Sequence, residues 1–236
     1  MVAIATPVLA DDTITFDPAI TAADFQKFSR VIGQGIYPTP VQPARSTGIL
    51  HFDIGVAVTG VQVDEKADYW RRAVRSNSIT SHGYAGIPRL VVSKGFGSGT
   101  ISATYAKIND SGVKMYGAAI DSPIIRGTIA SPELALRIAY GKISGIDVYR
   151  QKTYGAEVFL SKGFGPVTPY AAVGRQRNDA RGTVTSASFP SISLSDKGSF
   201  NRYTAGVRIS LFVPKLVIEA TQAEVRSYSA KVSFGF

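Results

Sequence analysis

Acid–base chemistry near neutral pH would have to come from two histidines, because the 236 residues include no cysteine. Disulfides, thiolate metal sites and thiol nucleophiles are excluded on the same ground. His51 stands two positions before Asp53. On an extended strand both side chains point the same way, which can orient an imidazole but places no serine nucleophile beside it. His82 follows Asp64, Glu65 and Asp68 without metal-ligand spacing. Neither grouping completes a catalytic constellation, so the chain is read as non-enzymatic, with no catalytic residue, metal site or cofactor. The pentapeptide Ser93-Lys-Gly-Phe-Gly97 recurs as Ser161-Lys-Gly-Phe-Gly165. A phosphate-cradling loop would need a helix after the glycines. Here each copy lies between apolar runs and reads as a turn, its glycine at positive φ and Phe96 and Phe164 at an aromatic rim.

The elements around these groups are strands. Leu50, Phe52, Ile54, Val56 and Val58 alternate with His51, Asp53, Gly55, Ala57 and Thr59. That period of two recurs from residue 101, 134, 153 and 202, with weaker runs at about 87–96, 113–122, 167–177 and 215–225. The second face is mainly Gly, Ala, Ser and Thr rather than the Lys and Glu of a water-facing sheet, which suits the inside of a barrel. Apolar faces of about 9–11 residues match a tilted strand crossing a bilayer, whereas no run reaches the ~18 residues of a membrane helix. The fold class is therefore all-β, a transmembrane antiparallel up-and-down barrel of about ten strands, with eight or twelve as alternatives.

Strand parity also selects the groups that line the lumen: His51, Asp53, Arg89, Asp121, Arg137, Glu157, Arg202, Arg208, Glu219 and Lys231. Such a lining can guide a solute, the basic members favouring anions, or it can form an ion-pair network that fills a narrow barrel. The net charge of +9 raises nucleic acid as a partner, but Lys and Arg are scattered singly and form no basic run, so none is expected. Tyr69, Trp70, Arg71 and Arg72 read as an anchor at the lipid interface.

Three segments are expected. Residues 1–10 read as a signal-peptide remnant, mostly apolar and ending at Ala10 before Asp11. Residues 11–47 form a periplasmic or plug segment. In it Thr21 caps a helix over 22–32 that presents Phe25, Phe28 and Ile32 on one face and stops at Gly33, followed by a stiff strap with three prolines, Tyr37 to Pro43. Residues 48–236 form the barrel, with the long segments Asp64–Gly86 and Asn178–Phe200 on its outer side.

The last strand runs from Tyr228 to Phe236, with Tyr228, Ala230, Val232, Phe234 and Phe236 on one outward face. This resembles the C-terminal signature of Gram-negative outer-membrane β-barrel proteins. The resemblance implies a bacterial outer-membrane location and recognition of Tyr228, Val232, Phe234 and Phe236 by the barrel-assembly machinery. Outer-membrane lipid and lipopolysaccharide become the surrounding partners, and both termini are expected on the periplasmic side. The function that follows is a small channel or uptake barrel for a small solute, plugged or gated at its periplasmic end by the N-terminal helix. The alternative is a closed barrel with an envelope-structural or surface-interaction role through its long external loops.

Overall fold

Alternation of apolar and small residues leaves each strand one lipid-like face, and a sheet of such strands in hydrocarbon must close to pair its edges. The computed structural model of the chain, which describes residues 14–44, 48–74, 80–97, 99–108, 112–128, 130–185 and 191–235, shows that closure. Ten antiparallel strands form the wall: β1 (Phe52–Gln62), β3 (Tyr84–Phe96), β4 (Gly99–Lys107), β5 (Lys114–Ile125), β6 (Glu133–Ser144), β7 (Tyr149–Ser161), β8 (Val167–Val184), β10 (Ser199–Ser210), β11 (Pro214–Gln222) and β12 (Arg226–Gly235). β1 seals the ring by pairing with β3 on one side and β12 on the other, Val56 lying opposite both Leu90 and Val232. Two short strands, β2 (Thr80–Ser81) and β9 (Ile192–Asp196), and two helices, α1 (Ala22–Ile36) and α2 (Asp68–Arg71), complete the described elements.

Apolar side chains cover the outside. Ile54, Val56, Val58, Ile138, Val173, Ile218 and Val232 are between 41% and 58% exposed, a continuous surface that water would penalise and lipid does not. Toward the rim where β12 ends, here the C-terminal rim, Phe52, Phe96, Phe164, Phe212 and Phe234 stand outward. Toward the opposite rim the outward aromatics are tyrosines, Tyr105, Tyr116, Tyr140, Tyr154, Tyr203 and Tyr228. Both repeated pentapeptides turn at the C-terminal rim, with Gly97 at φ 52° and Gly165 at φ 59° as their spacing predicts.

Both long connections fall at the far rim, but the second is not irregular. β8 continues to Val184, and its last residues pair with β9, Ala180 opposite Asp196 and Val184 opposite Ile192. Alternation simply continues past the barrel edge as a protruding hairpin. Phe236 and the apolar residues 1–10 lie outside the described residues.

The N-terminal segment departs further from expectation. Thr21 and Asp24 form the expected reciprocal capping box, yet the helix runs through Gly33 to Ile36. Gln176 on the wall donates to the Gly33 carbonyl at 2.8 Å, and the Tyr37 N–H closes on the same oxygen at 3.0 Å, so the turn that would have frayed is held. The helix sits at the far rim, packed near Val61, Val113, Ile143, Tyr149 and Val184, and not at the end where β12 finishes. Ile14, bridged to Val74, lies at the far rim too. The described chain therefore enters at one rim and traverses the barrel to begin β1 at the other. The helix α1 and the described end of β12 thus lie at opposite rims.

If the outer face meets lipid, Val56→Arg should destabilise the barrel by about 2–4 kcal/mol, the cost of Arg at the midplane of a membrane barrel. Urea titration of protein folded into phospholipid vesicles measures it. A change within about 0.5 kcal/mol, ordinary for a water-exposed site, would contradict the lipid-facing assignment.

Candidate functional site

Eight strands leave an interior that wall side chains just fill, so a ten-strand ring needs extra material inside. The strap Tyr37–Ala44 supplies it. Small residues on the inner faces leave its path open: a Cβ on Gly117 would meet Pro38 at 2.1 Å, and one on Gly155 would meet the Tyr37 ring at 2.4 Å. Val41 lies fully buried at φ 48°, a costly conformation for a β-branched residue. Ala57, Val91 and Val217 belong to the same buried cluster, whose packing holds it there.

An extended strap carries peptide groups into a dry interior, where each must find a partner. Arg89 donates to the Gly35 and Tyr37 carbonyls at 2.8 and 3.0 Å, and Arg137 to the Gln42 carbonyl at 3.0 Å. Arg137 also grips Asp121 through two bonds of 2.6 and 2.8 Å, with its guanidinium 4.3 Å from the centre of the Phe159 ring. Arg202 pairs with Glu157 at 3.3 Å and stacks on Tyr37 at 4.1 Å, while the Tyr37 hydroxyl donates to Glu157 at 2.9 Å. Glu219 accepts from Thr39 at 3.1 Å and Tyr170 at 2.9 Å. Lys231 reaches Gln42 at 2.8 Å and Asp53 at 3.5 Å, and Lys215 adds a second cation to Asp53 at 3.1 Å. Arg89, Arg137, Arg202, Lys215 and Lys231 thus meet a carboxylate or a carbonyl of the N-terminal segment, while Arg208 donates to the Thr168 hydroxyl at 3.0 Å.

All ten lining residues selected by parity face inward, eight of them buried, with His51 and Arg208 only partly so. His51, Asp53 and Arg208 border a cavity of about 20 Å³ with Gln42, Lys215 and Lys231, room for a single water. Lys215 joins the lining as well, on the same face as Glu219 four residues on. Gln42, Tyr37 and Thr39 belong to the site as well, and nothing in a linear pattern shows what a strap touches. Asp64, Glu65 and Asp68 do not gather around His82, whose Nδ1 instead meets the Ser81 hydroxyl at 2.9 Å.

At the far rim α1 docks through aromatics. Phe25 and Phe28 meet Phe16 and Tyr149 edge to face at 5.5–6.1 Å. Ile32 packs at the border of the same cluster. Trp70 is fully buried 6.0 Å from Phe28, so it is a floor for the helix and not a lipid anchor. Polar ties close the rim: Ser29 to Asp196 at 2.9 Å, Gln34 to the Val225 backbone at 2.9 and 3.0 Å, Lys27 to Glu224 at 2.7 Å and Arg72 to Asp24 at 2.8 Å.

No protein-family model and no curated protein sequence matches the chain. Among solved structures it is similar to Neisserial surface protein A (14% identity, 78% of this chain and 97% of that one, TM-score 0.35). It is also similar to the N-terminal β-barrel domain of Pseudomonas aeruginosa OprF (11%, 78% and 97%, 0.36) and to LpxR from Salmonella typhimurium (10%, 78% and 100%, 0.40). Likenesses this distant give the site no role, and its reading rests on its own geometry.

Two outcomes test that geometry. Arg137→Leu strands Asp121 in the interior and should cost about 3–5 kcal/mol, whereas Arg137→Leu with Asp121→Leu should recover most of the loss. Urea unfolding from lipid vesicles reads both, and a double variant as unstable as the single would remove the pair from the account. Second, burial pushes the Asp24 carboxyl up, but hydrogen bonds from the Thr21 hydroxyl and backbone and from Arg72 outweigh it and hold the group below its ordinary 3.8. Its contribution is therefore complete above that value and lost as the pH falls below it through the folded pKa. Protease cutting near Thr21 should rise in that acid range, and Asp24→Asn should abolish the rise.

Proposed function

We propose that the chain is an outer-membrane barrel closed by its own N-terminal segment, serving the envelope through its lipid-facing wall and far-rim loops and not by passive conduction. The observation that carries this reading is the N-terminal segment in the lumen, where the carbonyls of Gly33 and Gly35 at the end of α1 and of Tyr37 and Gln42 in the strap are all taken by buried wall side chains. A strap held only by apolar contact could slide, whereas this one has its peptide groups bonded along the passage. The outer-membrane location is supported by the exposed apolar belt, the aromatic rims and a last strand whose Tyr228, Val232 and Phe234 face outward. Long connections mark the extracellular side of such barrels, and the two at the far rim support reading that rim as the outer one, with α1 beneath its loops.

A second reading keeps the transport role: the strap is a gate, and its withdrawal frees a passage for a small anion. Its support is the charge of the lining, where six cations (Arg89, Arg137, Arg202, Arg208, Lys215, Lys231) face four carboxylates (Asp53, Asp121, Glu157, Glu219).

Conductance in planar bilayers separates them. The full chain should give no steady current, and a form lacking residues 1–44 that still shows a heat-dependent shift on detergent gels should give one. Steady current from the full chain would overturn closure. A silent but folded truncated form would remove the gated passage.

A further inference from the structure

The cations that are scattered along the sequence become neighbours on the outer wall. On four consecutive strands an outward tyrosine is followed, two residues nearer the far rim, by an outward lysine: Tyr105 and Lys107 on β4, Tyr116 and Lys114 on β5, Tyr140 and Lys142 on β6, Tyr154 and Lys152 on β7. The register sets like beside like. Tyr105 faces Tyr116 and Lys107 faces Lys114, and Tyr140 faces Tyr154 and Lys142 faces Lys152. The ring pairs are in contact, with centroids 5.4 and 5.3 Å apart, and the Lys142 ammonium lies 5.5 Å from the Tyr116 ring, tying the two hairpins together. One step farther out Arg150 faces Arg181.

Like charges directly opposite across a sheet repel. Asp179, opposite Lys152, is the one carboxylate on the outward faces of β4–β8 among the described residues. None of these six cations forms a salt bridge among the described residues. Outward Arg177 and Arg175 continue the cations on β8, opposite Tyr154 and Ala156, and among the described residues the rest of the circumference at this height presents Gln62, Ser199, Asn201 and Gln222, with Arg226 as a separate cation. Among the described residues the band therefore holds many more cations than carboxylates, with Asp179 on β8 and the exposed Asp147 in the β6–β7 loop as its acidic neighbours, and it lies just beyond the outward tyrosines.

We propose that this band is a binding surface for the phosphate groups of lipopolysaccharide in the outer leaflet, the acyl chains lying on the apolar wall below and the tyrosines at the sugar–acyl boundary. The assignment rests on the outer-membrane reading above, which puts the far rim outside. Charge complementarity chooses the occupant. A zwitterionic phospholipid brings its own ammonium to each phosphate and leaves the lysine pairs unbalanced. A glycolipid with several phosphates on one rigid sugar scaffold can bridge adjacent pairs with no cation of its own.

The test uses the full chain in phosphatidylcholine nanodiscs doped with lipid A, dephosphorylated lipid A or phosphatidylglycerol at matched charge, with lipid retained after detergent extraction counted by native mass spectrometry. Wild type should retain lipid A about tenfold or more over either control, and K107Q/K114Q/K142Q/K152Q should lose that excess, given roughly the attraction expected per interfacial lysine. Arg226→Gln, across the barrel, should leave retention unchanged. Should the quadruple variant not insert, K107Q/K114Q and K142Q/K152Q are read separately, each losing part of the excess. Equal retention of dephosphorylated lipid A or phosphatidylglycerol, or full retention by the inserted variants, overturns the proposal. Failure of wild type to insert at all would instead strike the outer-membrane reading, a result that gel migration before and after heating identifies.

Discussion

In hydrocarbon a peptide N–H or C=O without a partner costs several kilocalories per mole, and strands escape that cost only as a closed ring. Everything else in this molecule follows from the closure of β1 on β12. Once the ring is sealed, side-chain parity becomes a division between lipid and lumen, so a shift by one residue would turn a whole face from one to the other. That is why the inner faces hold Gly, Ala, Ser, Thr and compensated charge, and the outer faces hold Val, Ile, Leu and aromatics. The same closure fixes how much space is enclosed, and ten strands enclose more than their own small inward residues fill.

The strap answers that excess volume, and it changes what the buried charges are for. A guanidinium in a dry lumen is costly unless both charge and donors are met. Arg137 meets a carboxylate with two donors and a strap carbonyl with a third, while Arg89 spends its donors on strap carbonyls. Wall and N-terminal segment are thus coupled: the Tyr37 and Gln42 carbonyls take their donors from the wall, and Arg89 takes acceptors from the Gly35 and Tyr37 carbonyls. Apolar packing is concentrated at α1, where Phe16, Phe25, Phe28, Trp70 and Tyr149 form one aromatic cluster.

Most of the wall was legible in the sequence because it depends on a local rule. Alternation from Leu50 to Thr59 states which side chain faces which medium, and Asp53, Arg137 and Glu157 fall inward for no other reason than their parity. Thr21 and Asp24 declare their capping box three residues apart. What could not be read was set by contacts between distant segments. Gly33 is an ordinary helix stop until Gln176 supports its carbonyl. Trp70 has the composition of a lipid anchor until Phe28 lies on it. The three prolines predict a stiff segment but are silent about its direction, and so the rim that α1 occupies is not legible in them.

The basic band shows the same limit from the other direction. Lys107, Lys114, Lys142 and Lys152 are separated by 7, 28 and 10 positions in the chain, so no window over the sequence finds a patch. Two hairpin registers bring them together, and parity turns them outward. The contrast with the lumen is then one of dielectric. Inside, a cation without a polar partner would be costly, and the wall cations are accordingly engaged by carboxylates, carbonyls or, at Arg208, the Thr168 hydroxyl. At the far rim a lysine can bury its methylenes against a tyrosine and keep its ammonium in water, so repulsion between neighbours persists at modest cost. A charge arrangement that folding does not require, standing on the outward face of the wall, has its chemistry directed away from the protein.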